Sequence, residues 1–168
     1  EGERVRIYVT NRLPEHTSVH WHGLILPSGM DGVGGLSHPA IPPGKTFVYE
    51  FDLIKSGTFM YHPHADEMVQ MAMGMMGMFV VHPKDPNFRR VDRDFLIMLN
   101  TFDIDPGTYM PKIMTMTDFN LWCWNSRIFP DIDPAAFFIH PVYKNQTLLG
   151  WCIFEFAADR LDTIFSSA

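Results

Sequence analysis

Phe47-Val48-Tyr49-Glu50-Phe51-Asp52-Leu53 places Phe47, Tyr49, Phe51 and Leu53 at every second position. A period of two over such a run marks a half-buried β-strand. Working outward, Val5, Ile7 and Val9 repeat the alternation within residues 4–10, and residues 18–26, 57–62 and 77–82 read as further short strands. Between the second and third of these strands, residues 27–45 hold five Gly and four Pro, too many for regular structure. No heptad or long amphipathic helix competes. Residues 1–83 therefore read as about five strands joined by Gly/Pro turns, the signature of an all-β sandwich or barrel.

Farther along, residues 84–92 are polar and charged, as in a linker. New strands are expected over residues 94–100 and within 118–129. From about Ala135 the texture changes to apolar runs without clear turn chemistry, with a short helix expected over residues 156–164.

The chain has 168 residues, of which 46% are apolar and 19% charged, enough for a core. No apolar stretch reaches the roughly 20 residues of a membrane span. The net charge is −6 and no Lys/Arg cluster occurs, which argues against nucleic acid as a partner. Cys123 and Cys152 sit in apolar aromatic settings and read as buried free thiols. The first residues, Glu1-Gly2-Glu3-Arg4, show neither an initiator Met nor an apolar signal core; either a signal has been removed or the chain is a fragment.

Eight histidines are present, and four form two pairs, His20-Trp21-His22 and His62-Pro63-His64. On a strand, residues i and i+2 share a face about 7 Å apart, so two neighbouring strands would gather four imidazoles on one patch. Imidazole suits copper, zinc, iron and nickel. One such pair could be no more than two polar strand residues; two pairs, each on an expected strand, point to a metal.

The flanking residues carry a resemblance. Val19-His20-Trp21-His22-Gly23-Leu24 and Gly57-Thr58-Phe59-Met60-Tyr61-His62-Pro63-His64 resemble the first two copper motifs of multicopper oxidases. Ile41-Pro42-Pro43-Gly44 between them resembles the family's loop at that place, and Gln70-Met71-Ala72-Met73-Gly74-Met75-Met76-Gly77 the segment that returns to the sheet. The likeness covers roughly residues 1–134 and is greatest to laccase-like enzymes of the bacterial two-domain and CopA-like kinds.

The resemblance implies a cupredoxin-like Greek-key β-sandwich over residues 1–84, with its first strands expected to be missing. A linker over 85–93, the start of a second cupredoxin domain over 94–134 and an atypical tail over 135–168 would follow. It implies copper: His20 as a ligand of the type 2 ion, and His22, His62 and His64 as ligands of the type 3 pair. Asp31, in Gly29-Met30-Asp31-Gly32, matches an acidic residue that relays protons to dioxygen; a plain turn Asp before Gly is the alternative. The implied reaction couples oxidation of phenols or metal ions to reduction of dioxygen to water. Two-domain relatives are trimers, and the implied location is periplasmic or secreted.

The family's type 1 copper needs a Cys flanked by histidines, and no His-Cys-His occurs here; the chain is expected to supply half of the trinuclear ligands. Two alternatives to an oxidase follow: a copper-binding or copper-tolerance module without turnover, and an inactive fragment. His16, His38 and His82 read as loop or strand-end residues and His140 as isolated. Six of the twelve methionines lie between Met68 and Met78; thioethers bind Cu(I), but filling a sheet core is the favoured reading.

Overall fold

The computed structural model describes residues 1–85, 87–88, 91–92, 94–108, 110–113, 119–125, 127–128, 137–144 and 147–156. They fall into two compact units: residues 1–98 with 103–118, and residues 99–102 with 119–168. Residues 86, 89, 90 and 93 of the expected linker, and the expected helix beyond residue 156, lie outside the described residues.

The first unit contains β1 (Arg4–Thr10), β2 (His20–His22), β3 (Thr46–Asp52), β4 (Gly57–His62), the helix α1 (Glu67–Ala72) and β5 (Gly77–Val81). β1 pairs antiparallel with β3, and β4 lies between β2 and β5 in a second antiparallel sheet. The alternation seen in the sequence explains the first pairing. Val5, Ile7 and Val9 turn toward the core, where Tyr49 and Phe51 are fully buried. On the other face Arg4 and Arg6 bind Glu50 at 3.0 and 2.8 Å, and Arg4 also reaches Asp52 at 3.2 Å.

One core joins the two sheets. Trp21 of β2 packs against Tyr49, Phe51, Tyr61 and Phe79, with ring centroids 5.3 to 6.0 Å apart. Burying each large side chain stabilises by roughly 1.5–3 kcal/mol, and each aromatic pair adds about 0.5–1.5 kcal/mol. Among the described residues the buried indole Nε1 of Trp21 has no hydrogen-bond partner, and aromatic packing holds the ring.

Several expectations are corrected. The second strand is His20–His22 alone, not residues 18–26. It ends because Gly23 takes a φ of +86°, a left-handed conformation open to glycine, and Leu24 N–H turns back to the Trp21 carbonyl at 3.2 Å. β4 stops at His62, so His64 is not on a strand; Pro63 has no N–H to extend the ladder. The helix α1 was not expected; Glu, Met, Gln and Ala are all good helix formers. It takes up part of the methionine-rich segment, and none of the six methionines is fully buried; Met68 and Met73 are exposed. They do not fill a sheet core.

In the second unit β6 (Leu99–Phe102), β7 (Leu121–Trp124) and β8 (Arg127–Ile128) form an antiparallel sheet. β6 begins at Leu99, five residues later than the strand expected over residues 94–100. β9 (Phe137–Lys144) and β10 (Thr147–Phe156) form an antiparallel hairpin with two register shifts, where no strand was expected. Pro141 is tolerated in β9 because both strands of a two-stranded hairpin are edges. The helices of the described residues include none long and apolar enough to cross a membrane.

Candidate metal centre

The register of β2 against β4 sets His20 opposite His62 and His22 opposite Met60. Trp21, between the two histidines, points the other way into the core, as the strand period requires. Burial of one indole thus fixes the outward direction of two imidazoles.

His20, His22 and His62 each offer a ring nitrogen, and the three nitrogens lie within 4.8 Å of one another. The ring of His20 lies 5.4, 5.3 and 5.4 Å from those of His22, His62 and His64. His64 is therefore beside the group, but it does not complete the three-nitrogen cluster.

Hydrogen bonds determine which nitrogens face inward. His20 Nδ1 lies 2.7 Å from the Asp31 carbonyl oxygen, and His62 Nδ1 2.9 Å from that of Pro63. A carbonyl only accepts, so each Nδ1 carries the hydrogen and each Nε2 keeps a lone pair. His62 Nε2 faces His22 Nδ1 at 3.1 Å. His22 is exposed, so its Nε2 can carry the ring hydrogen in solvent and leave the Nδ1 lone pair as a metal ligand. Three imidazole nitrogens aimed at one place, two of them with oriented tautomers, fit a copper or zinc ion.

Asp31 touches the site chiefly through its backbone; its carboxylate lies 3.7 Å from His20 Nδ1 and is half exposed. Glu67 was not singled out by the sequence. Its two oxygens lie 3.6 Å from His62 Nδ1 and 3.6 Å from His64 Nε2. No spacing rule links a strand-end histidine to a residue on the next helix, so only the fold exposes it. His38 is also more than a loop residue: it is buried, stacks on Phe47 at 4.2 Å and accepts the Tyr49 hydroxyl at 3.1 Å. The Tyr49 oxygen in turn accepts the Val19 N–H at 3.0 Å, and burial pushes its phenol pKa up. This buried chain fixes the backbone one residue before His20. His16 and His82 are exposed, and the His140 side chain lies outside the described residues. Cys123 is buried and free, with its thiol pKa raised by burial, which disfavours the thiolate a metal would need. The Cys152 side chain lies outside the described residues.

The sandwich gathers outward imidazoles from neighbouring strands in an arrangement that could hold a metal ion, on a fold of the cupredoxin type. A multicopper oxidase family model matches residues 1–86, and the chain belongs to that family. It is 38% identical over 120 residues to copper resistance protein A of Escherichia coli, covering 71% of this chain and 20% of that protein. It is 40% identical over 97 residues to laccase-1 of Cryptococcus neoformans var. grubii, covering 55% of this chain and 15% of that protein. Among solved structures it resembles the blue copper oxidase of Nitrosomonas europaea, with a TM-score of 0.66 at 30% identity, over 78% of this chain and 43% of that one. The chain spans about a fifth of the length of the curated relatives it matches.

Proposed function

We propose that this chain provides one side of the trinuclear copper site of a laccase-like oxidase, which oxidises phenols or metal ions and reduces dioxygen to water. The observation that carries this reading is the convergence of the His20, His22 and His62 nitrogens within 4.8 Å. On this reading His20 holds the type 2 copper, and His22, His62 and His64 hold the type 3 pair. Bound copper supplies one-electron redox chemistry. The protein's own part is to hold and orient. The Asp31 and Pro63 carbonyls fix the tautomers of His20 and His62, Trp21 fixes the strand face, and the Asp31 carboxylate, 3.7 Å from His20 Nδ1, is on this reading the proton relay. The remaining copper ligands come from outside the residues described, from a further domain or from a neighbouring subunit of a homotrimer. Periplasmic or secreted location belongs to the same reading.

A second reading, a copper-tolerance module that binds the ion without turnover, is favoured by one observation: all three converging donors lie within residues 20–62 of a single unit. Copper content per chain, measured with the visible and EPR spectra and oxygen uptake of the same sample, separates the two. The expected result is bound copper with imidazole-type EPR features, lost in His20→Ala and His22→Ala. Bound copper with oxygen uptake favours the oxidase; bound copper without oxygen uptake favours the tolerance module. A chain that holds no copper at all refutes both.

A further inference from the structure

The second histidine pair has a carboxylate of its own. Glu67, the first residue of α1, spans His62 and His64 with one oxygen 3.6 Å from each ring nitrogen. That distance is beyond a hydrogen bond, so the carboxylate lies beside both rings without bonding either. The first pair has the corresponding group in Asp31, 3.7 Å from His20 Nδ1.

The placement of Glu67 is built into the backbone. Asp66, just before it, takes the left-handed conformation with a φ of 52°, which turns the chain from the end of β4 into the helix. Such a conformation is uncommon for a non-glycine residue and needs support from its surroundings. Support comes at both ends. The His64 N–H donates to Ser18 Oγ at 3.2 Å. One helical turn after Glu67, Gln70 is buried; its Oε1 accepts the Thr17 hydroxyl at 2.6 Å and its Nε2 donates to the His16 carbonyl at 2.9 Å. Residues 16–18 lead directly into His20. Glu67 is thus indexed to the same backbone that carries the opposite imidazoles.

Neutral imidazoles bring no charge to offset a cation, and a carboxylate beside a ligating histidine steadies the ring and strengthens it as a donor. We propose that Glu67 is a positioning residue of the copper half-site, steadying His62 and His64 and supplying negative charge next to the second histidine pair. This rests on the reading of the histidines as copper ligands.

The test titrates Cu(II) into the full chain and records the dissociation constant and the EPR spectrum. It compares wild type, Glu67→Gln, Glu67→Asp, His22→Ala, and Glu3→Gln as a control for the same charge lost elsewhere. Glu67→Gln is expected to weaken copper binding about 10- to 100-fold and to shift the Cu(II) EPR parameters. Glu67→Asp is expected to recover part of the loss, and Glu3→Gln to match wild type. Thermal melting of each metal-free variant checks that folding is intact. If Glu67→Gln binds with the wild-type constant and spectrum while His22→Ala loses binding, the role of Glu67 is refuted and the copper half-site stands. Copper binding indifferent to His22→Ala refutes the half-site, and the role of Glu67 with it.

Discussion

At Gly32 the backbone has a φ of +86°, and a β-carbon there would overlap the carbonyl oxygen of Val19. The neighbouring Asp31 carbonyl is the acceptor of His20 Nδ1, so this close approach is what brings the loop against β2. Gly32→Ala must either move Val19 or abandon the left-handed conformation, which costs a non-glycine residue about 1–2 kcal/mol by itself. The expected loss is about 3 kcal/mol in urea unfolding, with weaker copper binding; a variant as stable as wild type would show that the loop is not tied to β2 in this way. Residues of this kind differ in how openly the sequence declares them. His20 and His22 stand two apart on a strand and announce a shared face. Glu67 and His38 gain their neighbours only through turns, the left-handed Asp66 in one case and the loop before β3 in the other, and no local pattern records those turns.

Between β1 and β3, Arg4, Arg6, Glu50 and Asp52 form a charged ladder on the solvent side. Hydrogen bonds from Arg6 and then Arg4 hold the Glu50 carboxyl well below its ordinary value of 4.5, at about 2. A lowered folded-state pKa contributes stability that is present above pH 4.5 and is lost as pH falls toward 2. Glu50→Gln should therefore reduce stability at pH 7, and its difference from wild type should vanish as denaturant midpoints are followed from pH 5 to about pH 2. A difference constant across that range would mean the ladder does not act through this carboxylate. Strands of this alternating kind were legible because one face is wet. The helix α1 was not, because six residues of mixed polarity are too short to show a 3.6-residue period. The hairpin β9–β10 was missed because the polar break between its two runs, Lys144-Asn145-Gln146-Thr147, carries neither Gly nor Pro, while Pro141 and Gly150 fall inside the strands.

For the chain as a whole, a metal that binds the folded state alone must raise its stability by mass action. At a free copper concentration about 100 times the dissociation constant the gain is about 2.7 kcal/mol, a rise in Tm of about 10 °C for a unit of this size. Calorimetry with and without copper checks this, and an equal rise in the His20→Ala, His22→Ala double variant would place the ion elsewhere. The candidate site lies within one compact unit, residues 1–98 with 103–118, so the expected gain belongs to that unit's unfolding.

The pairing of His20 with His62 across β2 and β4 has an evolutionary corollary. One residue inserted in β4 ahead of His62 would turn that imidazole to the other face of the sheet, and one inserted in β2 would break the alternation of His20, Trp21 and His22, erasing the site at a stroke. The Leu36 side chain at the tip of the intervening loop, largely in solvent, carries no such constraint. Descendants of this sequence can vary that side chain and keep the metal site, while the count of residues inside the two strands stays frozen.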